Sequence, residues 1–255
     1  MNVDECTQRF REEQKRPPFT NEWCEVLPKL TRLGSTKHGW AQISFSDLTS
    51  EDADEVITEQ VAFFGAMNQT FEWTLFAWDQ PKDLSERLKA HGFEIGQHEA
   101  VMIYDLHEAP IPHSEIKVKR VTGMEGIQQF RGVAEAVFGK EYSRTSAELA
   151  AHIEAGSTEH IAYVAFDGDR PVSIGRLYTN PNSAFGGLYG SGTLPSHRSK
   201  GYYRAMIAAR ATAAVELGAR YLRVDALPTS RPILERLGFT RLTDTWPCDF
   251  NFPSS

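Results

Sequence analysis

Cysteine is scarce in this 255-residue sequence: Cys6, Cys24 and Cys248 are odd in number and far apart. They make no C-x-x-C pair and no metal-ligand spacing, so free thiols and a cytoplasmic location are expected. The eight histidines include no H-x-x-x-H or H-E-x-x-H, and no metal site is expected. No window approaches 18 uninterrupted apolar residues, which argues against a transmembrane helix and a membrane partner. The opening MNVDECTQRFREEQKRPP lacks an apolar core, so no signal peptide is expected. Positive charge is in deficit, with 27 Lys and Arg against 34 Asp and Glu, a net charge of −7. That balance argues against a general nucleic-acid binder.

What remains is a globular composition, 41% hydrophobic and 24% charged, at a length ordinary for two domains. The charge is unevenly spread. Residues 1–113 hold 10 basic and 20 acidic side chains, and residues 114–255 hold 17 and 14. An acidic first half and a mildly basic second half point to different partners, the anionic one served by the second half.

The first 35 residues read as a helical segment, with helices over about Asp4–Lys15 and Asn21–Arg32 separated by Pro17 and Pro18. Gly39–Phe45 reads as a strand, and the acids of Asp47–Glu55 start a helix reaching about Met67. Phe71–Trp78 is strand-like, a helix follows to about Ala90, and Phe93–Gly96 and Ala100–Leu106 read as a strand pair. The proline-rich His107–His113 is the expected extended connector, dividing residues 36–110 from residues 114–255. The pattern then restarts. Strands are expected at Ile116–Val121, His160–Phe166, Pro171–Tyr178, Phe185–Leu194, Tyr221–Ala226 and up to Phe250. Helices are expected at Met124–Val137, Arg144–Ala155, Tyr202–Leu217 and Ser230–Leu237. A weak repeat links the halves: Glu86-Arg87-Leu88 precedes Gly92-Phe93 as Glu235-Arg236-Leu237 precedes Gly238-Phe239.

The stretch that carries chemistry is Gly190–Phe239. A glycine-rich strand ends at Leu194, Pro195 takes the chain out of the sheet, and Arg198-Ser199-Lys200-Gly201 runs straight into a helix. Along that helix Tyr202, Met206, Ala209, Ala213 and Leu217 define the expected buried face. A helix start presents unpaired N–H groups and the positive end of the helix dipole, a geometry that binds phosphate. Arg198, Lys200 and Arg204 add positive charge there, and Gly201 permits close approach. The expected ligand is a polyphosphorylated cofactor. A solvated basic loop would carry the same four letters.

This segment resembles the acetyl-CoA-binding core of the GNAT (GCN5-related N-acetyltransferase) superfamily, whose signature R/Q-x-x-G-x-G/A follows a strand ending near a Pro. Arg198, Ser199, Lys200 and Gly201 fill its first four positions, and Tyr203 stands where the family has Gly or Ala. The element order from Ile116 to Phe250 is also similar. The first half resembles the later part of the same fold. It has no R-x-x-G-x-G/A between Trp40 and Phe71, so no cofactor is expected there.

The resemblance implies an α/β (α+β) fold with a mixed, mostly antiparallel sheet flanked by helices, in a tandem arrangement with a degenerate N-terminal half. It implies a bacterial acetyl-CoA-dependent enzyme that acetylates a primary amine of a small molecule or peptide without a metal; a homodimer is compatible with it. Gly192, Thr193 and Leu194 would lie along the acyl arm. Arg198, Ser199, Lys200, Gly201, Tyr203 and Arg204 would hold the pyrophosphate, and a backbone N–H near Leu194 would polarise the thioester carbonyl. The family's catalytic Tyr position holds Leu234, and its usual Asn falls near Leu227. Tyr189 and Asp225 are then candidates for the acid that protonates the leaving thiolate, with water a third. For the acceptor, Glu72, Trp78, Glu141 and Tyr142 are candidates. The acidity of the first half favours a cationic acceptor, although Glu72 and Trp78 also read as core aromatics beside surface acids. A CoA-binding sensor or interaction module without turnover, or a transferase using a different acyl-CoA, remains an alternative.

Overall fold

The computed structural model describes residues 1–17, 23–35, 39–108 and 114–252. In chain order the elements begin α1 (Val3–Lys15), β1 (Trp23–Val26), β2 (Leu30–Ser35), β3 (Trp40–Ser46), α2 (Ala53–Ala66) and β4 (Phe71–Phe76). Next come α3 (Leu84–Ala90), β5 (Glu94–Ile95), β6 (Glu99–Asp105), β7 (Val118–Arg120), α4 (Met124–Phe138) and α5 (Ser143–Glu154). Then follow β8 (His160–Asp167), β9 (Arg170–Tyr178), β10 (Phe185–Thr193), a 3₁₀ turn at Pro195–His197 and α6 (Tyr202–Glu216). The chain closes with β11 (Tyr221–Ala226), α7 (Arg231–Arg236) and β12 (Thr240–Phe250). This is a mixed α/β fold whose strands pair mostly antiparallel and are flanked by helices.

The elements gather into two compact units that do not follow the chain halves. The first takes Met1–Met102, Asp225–Glu235 and Thr240–Ser255, and the second takes Ile103–Val224 and Arg236–Phe239. Most of the connector expected at His107–His113, residues 109–113, lies outside the described residues.

In the first unit the strands run β1-β2-β3-β4-β12, with β5 on β12. Strands β3 and β4 are parallel, Gln42 opposite Glu72, and α2 joins them. Parallel neighbours need such a crossover. The core between this sheet and its helices is aromatic: Phe64 stacks on Phe71 at 4.2 Å, and Trp73 and Phe93 are buried beside them. The helix expected over Asn21–Arg32 is not formed. Trp23–Val26 and Leu30–Ser35 are antiparallel strands, joined at a turn where Leu27 N donates to Leu30 O at 2.8 Å. Pro28 sits in that turn, where a helix would lack both an N–H and room for the ring.

In the second unit the order is β11-β10-β9-β8-β7, with β10 and β11 parallel and α6 connecting them. Helices α4 and α5 cover one face, burying Ile127, Phe130, Val133 and Leu149 against Ala162, Val164 and Ile174. Helix α6 lies against the other face through residues 202, 206, 210 and 214, not along the expected row. Tyr202, Met206, Arg210 and Ala214 are buried, while Ala209, Ala213 and Leu217 are only half-buried. An arginine in the centre of that stripe is what hid it from a hydrophobicity pattern. No described helix is long and apolar enough to cross a membrane.

Candidate functional site

The second unit contains one strand that is paired only in part. Strand β10 is in register with β11 over Phe185–Gly187. On its other side the ladder to β9 holds Tyr189 opposite Arg176 and Gly192 opposite Ile174, with a bulge between Tyr189 and Gly192. Gly190, at φ +54°, takes the left-handed conformation inside that bulge. The bulge therefore interrupts the ladder at Gly190 and Ser191, in the middle of the sheet.

Beyond β10 the chain turns through Pro195–His197 and enters α6. Ser199 at φ +62° and Gly201 at φ +88° are both left-handed, on either side of Lys200. No side chain caps α6 at Gly201, so its first turn presents backbone N–H groups to the loop. Arg198, Lys200 and Arg204 are exposed, and none has an ion-pair partner among the described residues. Arg198 Nε instead donates to Thr193 O at 3.3 Å, which holds the side chain over the end of β10. Beneath the loop, buried His197 lies 2.9 Å from Ser196 Oγ and 3.2 Å from Asp167 Oδ2.

Gly192 and Thr193 stand where β10 meets α4. A Cβ at Gly192 would fall 2.8 Å from Val137 Cγ1 and 3.1 Å from the Phe138 ring. Ser173 Oγ donates to Gly192 O at 3.0 Å and lies 2.8 Å from Thr193 Oγ1. Leu194 differs from expectation. Its N–H donates to Val172 O at 2.9 Å, so that donor is already used in the sheet and cannot polarise a thioester carbonyl. Tyr203, two residues past Gly201, is half-buried. Burial pushes its hydroxyl pKa up, and it lies within electrostatic reach of Arg210 two turns along α6.

Tyr189 is 44% exposed, with its ring folded back over Gly187 on the same strand. Tyr142 follows α4, and its ring stacks on Phe138 at 5.6 Å and 19°. Burial raises the Tyr142 pKa, and the charge of Arg176 opposes the rise. Glu141 is exposed and 3.7 Å from Arg131. Asp225, Glu72 and Trp78 belong to the first unit. Glu72 lines a cavity of about 340 Å³ with Trp40, Gln42, Phe71, Asp249 and Asn251. Burial raises its pKa against hydrogen bonds from Thr74 Oγ1 at 2.8 Å and Gln42 Nε2 at 3.2 Å. Trp78 stacks on Phe76 at 5.4 Å, with the Arg11 guanidinium 5.6 Å from its ring. Leu234 is fully buried. Among the described residues no group of three or more His, Cys, Asp or Glu could hold a metal ion.

Sequence reading missed Ser173, Phe138 and Arg176. The last had a visible signal: one arginine in the middle of the small and apolar strand PVSIGRLY.

The model of the acetyltransferase (GNAT) family matches residues 127–239, which run from within α4 to just past α7 and include the whole bulge-and-loop arrangement. That stretch, under half of the chain, is similar to the family. Acetyl-CoA is the acyl donor typical of that family. No curated protein matches the sequence. Among solved structures, a GCN5-related N-acetyltransferase from Kribbella flavida is similar at TM-score 0.69 and 17% identity, covering 99% of this chain and 96% of that one. A GCN5-related N-acetyltransferase from Sphaerobacter thermophilus is similar at TM-score 0.58 and 13% identity, over 89% of this chain and 81% of that one. A tandem GNAT protein from the clavulanic acid biosynthesis pathway is similar at TM-score 0.58 and 12% identity, over 89% and 79%. At such identities these likenesses show the fold.

Proposed function

We propose that this chain is an acetyl-CoA-dependent N-acetyltransferase acting on a primary amine. The observation that carries the reading is the start of α6: among the described residues Arg198, Lys200 and Arg204 have no carboxylate partner, around an uncapped helix N-terminus entered through left-handed Gly201. A doubly charged pyrophosphate suits that site. The helix end alone contributes about 0.3–1 kcal/mol per charge, and the three cations add to it. The backbone of Gly190–Thr193 would line the acyl arm, and the bulge supplies candidate N–H donors at Gly190 and Ser191 where Leu194 has none to give.

When bound, acetyl-CoA supplies a thioester. The transfer forms a C–N bond from a neutral amine, whose nitrogen then gives up a proton to water, breaks the C–S bond and leaves a thiolate that takes a proton. In this reading Tyr189, beside the bulge, would deliver that proton. Holding donor and acceptor together in one site supplies much of the rate, and N–H donors at the carbonyl oxygen contribute about 2.7–4 kcal/mol. The first unit reads as a degenerate copy. It too has a parallel strand pair bridged by a helix, and Gly92 at φ +95° before buried Phe93 parallels Gly238 at φ +93° before buried Phe239.

Calorimetric titration of acetyl-CoA into the wild type and Arg198→Glu tests the reading. Submillimolar binding by the wild type and at least a tenfold loss in the variant are expected; equal affinities remove the cradle. The buried Leu234 at the family's Tyr position favours a second reading, a CoA-binding module without turnover. Acetylation of any member of an amine panel above background decides against it.

A further inference from the structure

Arg176 lies on the sheet face under α4 and α5. It lies in β9 between Ala162 of β8 and Tyr189 of β10. Its guanidinium rests on the bulge: a Cβ on residue 190 would fall 3.1 Å from Nε and 3.3 Å from Nη2. Gly190 therefore clears the space that the group occupies. The Nε is buried and has no hydrogen-bond partner, and the residue has no ion pair among the described residues. The carboxylates around Tyr142, whose hydroxyl lies within electrostatic reach of Arg176, have other partners. Glu135 binds Arg131 at 2.6 Å and accepts from Tyr142 N at 3.2 Å, while Glu141 sits 3.7 Å from Arg131. A buried donor left unpaired is costly in a folded protein and calls for an explanation.

We propose that Arg176 anchors a carboxylate on the acceptor, so that the amine acetylated at this site belongs to an amino acid and not to a simple cationic amine. This rests on the transferase reading above and narrows it. A guanidinium presents paired N–H donors that match a carboxylate. The neighbouring surface is aromatic, from the Phe138–Tyr142 stack to exposed Tyr189, and suits a side chain of the acceptor. A fixed positive charge also disfavours an ammonium beside it, which holds the acceptor amine in the neutral form that attacks. The same charge repels a cationic amine that brings no anion. The expectation of a cationic acceptor, drawn from the acidity of the first half, is replaced by one drawn from the second unit itself.

The test pairs each proteinogenic amino acid with its amide and its decarboxylated amine, assayed with acetyl-CoA on the wild type, Arg176→Gln and Arg176→Lys. Acetyl-CoA affinity is measured calorimetrically on each, and thermal melting shows that each is folded. The wild type should favour at least one amino acid over its amide and amine by tenfold or more in kcat/KM. Arg176→Gln should erase that preference chiefly through KM, Arg176→Lys should restore part of it, and acetyl-CoA affinity should stay level. A preference for the amides or amines, no amino acid accepted, or a preference that Arg176→Gln leaves intact overturns the anchor while the donor site stands. Absence of acetyl-CoA binding in the wild type overturns the transferase reading and the anchor with it.

Discussion

Arg210 occupies the space above Gly175. A Cβ on residue 175 would lie 2.9 Å from Arg210 Cζ, and Arg210 is fully buried on α6. Its Nη1 donates to Arg176 O at 3.0 Å, the strand position opposite Tyr189 at the edge of the bulge. Glycine 175 thus lets an arginine pin α6 to the strand that flanks the candidate site. Its Nη2 has no partner, and burial lowers the guanidinium pKa to about 10.

Gly175→Ala should therefore overpack this contact, which also includes Met206 Cγ at 2.9 Å. A loss of about 1–3 kcal/mol is expected in urea unfolding. Repeating the substitution in an Arg210→Ala background should cost measurably less, because the displaced group is gone. Equal costs in both backgrounds would mean that the two positions are not coupled.

The left-handed glycine before α6 leads to a second expectation. Alanine at Gly201, φ +88°, costs about 1–2 kcal/mol of backbone strain and tilts the first-turn N–H groups. Gly218, just beyond the other end of the helix, has φ +85° and open space around it. Gly218→Ala should cost similar stability. Only Gly201→Ala should also weaken acetyl-CoA binding, by tenfold or more in calorimetry. Parallel losses of affinity in both would assign the effect to global loosening.

The comparison of these two glycines shows what the sequence made legible. Arg198–Gly201 could be read because a phosphate loop is local: four consecutive residues and a helix start carry it. Most strands and helices were legible for the same reason, since periodicity is a local property. What escaped depends on distant neighbours. Trp23–Val26 and Leu30–Ser35 are strands because each pairs with another segment. Strand β12 joins the first unit by pairing with β4, some 170 residues earlier, as in the bond from Thr245 Oγ1 to Leu75 O. Leu194 N–H is spent on Val172, and Arg176 matters only because Gly190 bulges beneath it. Apart from the β1–β2 hairpin, these partners lie far apart in the chain.

Asp79 leads to a pH-dependent expectation. Burial pushes its carboxyl pKa up to about 7, against a hydrogen bond from Phe76 N at 2.8 Å. In the unfolded chain an Asp ionises near 3.9. Between those values the folded state holds a proton that the unfolded state has lost, so stability from this group declines as pH rises from about 4 to about 7 and is level above that. Asparagine keeps an acceptor for Phe76 N and carries no charge. Asp79→Asn should gain stability relative to the wild type between pH 4.5 and pH 8, read from urea midpoints. A difference that does not change with pH would rule out titration of Asp79.

Tyr189 and Asp225 compete for the role of acid, and they differ in a way that kinetics can read. Tyr189 stands in the same unit as the α6 loop and opposite Arg176, whereas Asp225 belongs to the first unit. An acid that protonates a leaving thiolate contributes typically 10²–10⁴-fold to the rate. Tyr189→Phe should accordingly lower kcat by about 10²-fold or more with acetyl-CoA affinity unchanged. Asp225→Asn should leave both in place. A full rate in Tyr189→Phe with a slow Asp225→Asn would exchange the two assignments, and full rates in both would leave the proton to solvent, a route open to a thiolate because it needs little help to leave near neutral pH.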